Sequence, residues 1–182
     1  MNLGRLILRA VVGGYFFGHG AQKLFGWFGG HGPDGTGQFF ENLGLRPGKR
    51  HALAAGAAEA GGGTLVLLGA ATPVGAAVLI ATMLTAINRV HLRNGPWVTN
   101  GGYEYNLVLI ATVLALAETG PGTPSVDAAR GSNLTGNKAV LLAAILGTLG
   151  AAGAHHAAEN AAVPEEPVAP PAPAPEPVPA PA

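Results

Sequence analysis

Apolar stretches of near-membrane length follow one another along this chain, and few soluble architectures could bury them all. They run from about Leu3 to Phe28, His51 to Ala71, Pro73 to Arg93 and Tyr103 to Thr119, with a fifth from Lys138 to Ala154. About 20 apolar residues cross the hydrocarbon of a bilayer, and about 17 is the short limit. Short loops reverse the chain between successive stretches, so the spans should pack as an antiparallel bundle. The pattern predicts an all-α membrane protein. A four-helix transmembrane bundle occupies residues 1–122, a connector 123–137, a fifth transmembrane helix 138–156 and a disordered Pro/Ala/Glu-rich tail 157–182.

Composition agrees with that reading and removes several function classes. Charged residues make up 11% of the 182-residue chain, well under the quarter or so usual in soluble domains. The formal net charge is zero, which argues against an electrostatic nucleic-acid binder. With no cysteine, the chain cannot itself carry out thiol–disulfide exchange or hold metals and iron–sulfur clusters through thiolates. Arg5 and Arg9 imitate the basic start of a signal peptide, but the first stretch continues through His19, Gln22 and Lys23 without a small-x-small cleavage site. A retained first helix is therefore expected.

Within the spans, the ionisable groups gather toward one end. Alternating helix direction puts the end of the first helix, the start of the second, the end of the third and the start of the fourth on one membrane side. At 1.5 Å per residue, His19 and Glu59 both lie roughly 12–14 Å from that surface. Lys23, Arg89, His91 and Glu104 are shallower on the same side. Lysine and arginine counts in the loops tip this polar end toward the cytoplasm.

Glu59 is the most informative residue, because an ionised carboxylate deep in a span costs about 2.5–3.5 kcal/mol on insertion scales. It should meet a partner or take up a proton, and Lys23 and His19 are nearest by depth. Tyr15, His19, Gln22 and Lys23 share one helical stripe with Gly26, and Asn88 and His91 share another on the third helix. His19, Lys23 and Glu59 thus form the candidate proton-handling cluster. Tyr15, Gln22, Trp27, Asn88, Arg89, His91 and Glu104 are candidate ligand-binding residues. A purely structural network that fixes helix packing would use the same residues. Haem ligation by His19 and His91 is disfavoured because their depths differ by roughly 8–10 Å, and no metal site is expected. His155 and His156, near the end of the fifth stretch, are expected at the interface. Between the first two helices, Thr36 is expected to cap a short segment from Gly37 to Leu43, and the Gly30–Gly35 glycine pattern lacks the preceding strand that a dinucleotide site needs.

The string Phe16, then His19-Gly-Ala-Gln22-Lys23-Leu-Phe25-Gly26-Trp27-Phe28-Gly29-Gly30, resembles the first-helix signature of the DoxX family of small bacterial membrane proteins. Glu59-Ala-Gly-Gly62-Gly63 and Asn100-Gly-Gly-Tyr103-Glu104-Tyr105-Asn106 are similar to the same pattern, and the likeness covers about Arg5 to Thr119. The resemblance implies a multi-pass protein of the bacterial cytoplasmic membrane, associated with redox chemistry. Relatives include a membrane subunit of a thiosulfate:quinone oxidoreductase, and a mycobacterial protein that links a superoxide dismutase to a sulfurtransferase. Two functions from different classes follow. One is the membrane subunit of a quinone-linked oxidoreductase system, with quinone as its ligand and partner redox subunits delivering electrons. The other is a non-catalytic scaffold in the lipid bilayer that recruits soluble redox or oxidative-stress enzymes through the tail and the Gly29–Arg50 loop. A small-molecule or proton transporter is the third possibility, disfavoured by the absence of an internal repeat.

Overall fold

The computed structural model of the chain describes residues 2–132 and 134–161. Among these the architecture is entirely helical. Helix α1 (Leu3–Phe25) stops at Gly26, whose left-handed φ of 71° lets its N–H close on the carbonyl of Gln22, a glycine-dependent ending. A single 3₁₀ turn, Trp27–Gly29, leads into α2 (Gly32–Asn42). This helix begins earlier than the expected Gly37–Leu43 segment. Pro33 sits in its first turn, where a missing N–H costs nothing, so Thr36 lies inside the helix instead of capping it.

Helix α3 (Gly48–Leu68) ends at Gly69, and α4 (Thr72–Ala86) opens with Pro73 in its first turn. Beyond Ala86 the same rod widens into a π-helical turn over Ile87–His91 and tightens to 3₁₀ over Leu92–Asn94. Helix α5 (Glu104–Thr119) follows, then the one-turn α6 (Val126–Ala129) inside the connector, then α7 (Gly136–Glu159). The fifth segment is therefore 24 residues long, not the near-minimal stretch expected. Its helix continues past 156 into the region assigned to the tail. From residue 162 onward the tail lies outside the described residues.

Helix α4 is the hub. It packs on α3, α5 and α7, while α1 packs chiefly on α3 and scarcely on α5. The sequence explains this, because α4 is apolar around its whole circumference and such a helix suits a central position. Leu79, Val66, Val113 and Leu116 are the large side chains buried at these contacts. The α1–α3 contact works differently, by backbone approach. A methyl group on Gly13 would lie 2.7 Å from the carbonyl oxygen of Gly63, and one on Gly63 would lie 2.6 Å from the amide of Phe17. Small residues allow this closeness where lipid offers no hydrophobic drive between helices. On α7, Gly147 presses on Ile80 and Gly150 on Ala81, whereas Gly153 faces open space.

Two helices are long and apolar enough to cross a membrane: Thr72–Asn94 and Gly136–Glu159. The expected four-helix span is thus met only in part. Helix α1 is long enough, but Arg5, Arg9, His19 and Lys23 dilute its apolar character. The glycines and alanines of α3 do the same, and α5 has only 16 residues. The outside of the bundle is nevertheless greasy. Ile7 and Val11 on α1, Leu107 and Val108 on α5, and Leu141, Ile145 and Leu149 on α7 are all about half exposed or more. In water such faces would drive association.

Candidate functional site

Lys23, in the last turn of α1, reaches across to Glu59 in the middle of α3, with Nζ 2.6 Å from Oε2. The approach is possible because Gly56 carries no side chain: a methyl group there would lie 3.1 Å from Cβ of Lys23. Glu59 is buried at 8% exposure, so its charge needs this partner. The pair does not close on itself, however. Both residues line a groove of about 620 Å³.

Helix α4 forms the floor of that groove, from Val74 to Arg89 and His91. One wall is a stripe of α3 at helical spacing, His51, Ala54, Ala55, Ala58 and Glu59, extended by Phe39 and Phe40 of α2 and by Leu43 just beyond its end. The other wall is Leu146, Gly150 and Ala154 of α7. Since α3 and α7 pack on α4 and hardly on each other, the groove is open between them. Most of its surface is hydrocarbon; its polar lining groups are Lys23, His51, Glu59, Thr82, Thr85, Arg89 and His91. Much of the Gly29–Arg50 segment, the expected first loop, is therefore helical and forms part of the groove wall. Helix α2 lies on α3, held by Lys49 to Asp34 at 2.7 Å and by the Gly48 amide donating to Glu41.

The π-helical turn at Ile87–His91 carries two of the polar groups. Arg89 Nε donates to His155 Nδ1 at 3.0 Å. His91 Nδ1 lies 2.7 Å from the carbonyl oxygen of Gly101; since a carbonyl only accepts, that nitrogen bears the proton. π-Turns of this kind recur at functional sites because they re-aim side chains without ending the helix.

The remaining predicted residues lie elsewhere. Tyr15, His19 and Gln22 line a separate, shallower depression of about 480 Å³ on the outer face of α1. There His19 Nδ1 contacts Gln22 Oε1 at 3.0 Å, and Gln22 Nε2 donates to the Phe28 carbonyl, tying α1 to the 3₁₀ turn. His19 lies one turn before Lys23 on α1, but its side chain lines this outer depression and not the groove that holds Glu59. Trp27 is 53% exposed and stacks near Phe25, with ring centroids 5.0 Å apart. Asn88 is exposed, and Glu104 accepts from the Val98 amide at 2.9 Å, closing the loop before α5. No three His, Asp or Glu side chains converge in a metal-ligand arrangement among the described residues.

Two features escaped the sequence reading. His155, expected at the interface, turns inward onto Arg89, while His156 is exposed. The second lies at the opposite end of the bundle. Arg9 is 3% exposed and donates to the carbonyls of Val66, Leu67, Pro121 and Pro124. Beside it Asp127, also buried, accepts from the amides of Ala71 and Thr72 and from the Thr72 hydroxyl. An aspartate within a short polar connector gives no sequence signal that it will cap a helix more than fifty residues earlier.

A helical, membrane-associated protein with a charged pair set into an apolar groove is the class that this geometry defines. The chain belongs to the DoxX family: that family's model matches residues 4–92, and the family is membrane-associated. It is also 36% identical over 115 residues to a Bacillus subtilis (strain 168) protein named "Putative oxidoreductase CatD". The alignment covers 63% of this chain and 79% of that relative. No solved structure matches the chain. The family match spans α1 to α4, so the α7 wall of the groove lies beyond it.

Proposed function

We propose that the protein is the membrane subunit of a quinone-linked oxidoreductase system, multi-pass in the bacterial cytoplasmic membrane. The observation that carries this reading is the Lys23–Glu59 pair on the wall of an apolar groove that opens sideways from the bundle. A bilayer would cover the apolar outer faces of α1, α5 and α7 and place the groove mouth in lipid, where quinones dissolve. The oxidoreductase named among the relatives supports the same direction.

Converting a quinone to a quinol adds two electrons and two protons. The chain offers proton-handling groups and, having no cysteine, no disulfide or thiolate-ligated electron carrier. A partner subunit bearing a redox cofactor supplies the electrons in this reading. Glu59, ionised beside Lys23 at rest, takes up a proton from the surface side and passes it to the developing oxyanion that Lys23 stabilises, once for each of the two protons. His51 and His91 line the same groove and can relay protons from the surface. His19 has no part in this scheme, because it faces the other side of α1.

The test is the protein purified from membranes in mild detergent. Its lipid extract should contain quinone, and added quinone should bind with one site per chain. Glu59→Gln should insert and fold, yet lose quinone-linked turnover when the native partners are present. An extract without quinone, together with no affinity for added quinone, would end the proposal.

A further inference from the structure

The geometry points to His155, on the helix beyond the family-matched segment, as a positioning residue that aims Arg89 at the oxygen-bearing head of an isoprenoid quinone. This rests on the quinone reading above and adds which end of the groove receives the head group, and what holds the receptor in place.

The groove is long. Val74 and Arg89 both line it, and along a helix axis they are separated by about 22 Å at 1.5 Å per residue. Such a slot suits a long, thin lipophile rather than a compact one. Its polarity is one-sided, with Arg89 and His91 at one extreme of the α4 floor and Val74 at the other. A ligand with a polar head and a hydrocarbon chain therefore lies with its head toward Arg89.

Arg89 is equipped for that contact. Among the described residues the ion pairs are Lys23–Glu59 and Lys49–Asp34, and neither involves the Arg89 guanidinium. Its recorded hydrogen bond uses Nε alone, toward His155. The two terminal nitrogens remain as donors, and Nη1 lies beside Gly44, where a methyl group would sit 3.7 Å away. A cation half-withdrawn from water beside apolar walls gains from an oxygen acceptor. A quinone carbonyl supplies one.

His155 decides where those donors point. An arginine side chain has many rotamers, but its five donors form a rigid planar fork. Fixing the fork at Nε fixes the plane in which the terminal nitrogens lie. Because Arg89 can only donate, His155 Nδ1 must be unprotonated, and the neutral ring carries its proton on Nε2. Helix α7 thus adds both a wall, through Leu146, Gly150 and Ala154, and the orientation of the head-group receptor.

The experiment uses the full chain in lipid nanodiscs. It measures affinity for an isoprenoid quinone and for an isoprenoid alcohol of equal chain length, together with the infrared carbonyl stretch of the bound quinone. The wild type should prefer the quinone and lower its carbonyl frequency. His155→Phe should reduce that preference roughly tenfold, the scale of one charge-assisted hydrogen bond, and return the frequency toward the free value. Arg89→Gln should do the same. His155→Asn keeps an acceptor near the Nδ1 position and should retain both signals. Preference and frequency unchanged in His155→Phe, or lost equally in His155→Asn, would overturn the positioning role while leaving the quinone reading standing. A wild type that binds both lipids equally would overturn the quinone reading itself.

Discussion

The two ends of the bundle both bury charge, and they treat it in opposite ways. At one end Arg9 is surrounded by four backbone carbonyls and Asp127 by two amides and a hydroxyl. Four of the five guanidinium donors are met by the chain itself, and Arg9 lines neither the groove nor the outer depression on α1. At the other end Lys23 and Glu59 have one another, and Arg89 has a neutral imidazole, with a groove of about 620 Å³ alongside. A polar cluster satisfied by its own chain fixes geometry, whereas one that keeps unused donors beside a cavity can bind and exchange protons. The first end reads as a clasp holding the connector to α1, α3 and α4. The second reads as a site.

The contrast can be broken by substitution, and the largest effects belong to the clasp. Asp127→Ala strips the acceptor from two backbone amides at the start of α4. It should lower the stability of the detergent-solubilised protein by about 3 kcal/mol, seen as a drop in thermal midpoint. Quinone affinity of the fraction that remains folded should not change. Comparable midpoints for mutant and wild type would remove the clasp.

Next in size is Glu59→Gln, with the opposite signature. Quinone-linked turnover with native partners should fall about 100-fold, within the range of a lost general acid, while the thermal midpoint falls less than for Asp127→Ala, because the amide still accepts from Lys23 and the ammonium keeps some access to water. A collapse of stability with activity per folded molecule intact would make the two ends alike. A smaller effect is expected from Ala58→Leu, which places a branched side chain in the groove. Affinity for quinone, followed by equilibrium titration, should weaken about tenfold from lost space. The folded state should tolerate the change because Ala58 borders the cavity. Smallest of all, His19→Ala on the outer face of α1 should alter stability by under about 0.5 kcal/mol and leave turnover within error. A strong activity loss there would return His19 to the site.

How far the sequence reached depends on which coordinate is asked for. Position along a helix follows from counting residues, so Lys23 and Glu59 could be matched in depth before any fold was known. Azimuth around the helix depends on which neighbour a face meets. That is why Tyr15, His19, Gln22 and Lys23 formed one stripe on paper yet divide between two depressions. Trp27 was lost to the site because Gly26 ends α1 one residue earlier.

The sequence alone determined that the chain is helical and built from long apolar segments, because periodicity, glycine stops and the scarcity of charge are local properties. It also marked Glu59, since a carboxylate among small apolar residues is costly wherever it ends up. Only the tertiary structure decided that α7 packs on α4 and forms a groove with α3, that His155 meets Arg89, and that Asp127 caps a helix far away in the chain. Those contacts depend on the relative placement of distant segments, which is set by the sum of many weak packing terms and leaves no signature at either residue.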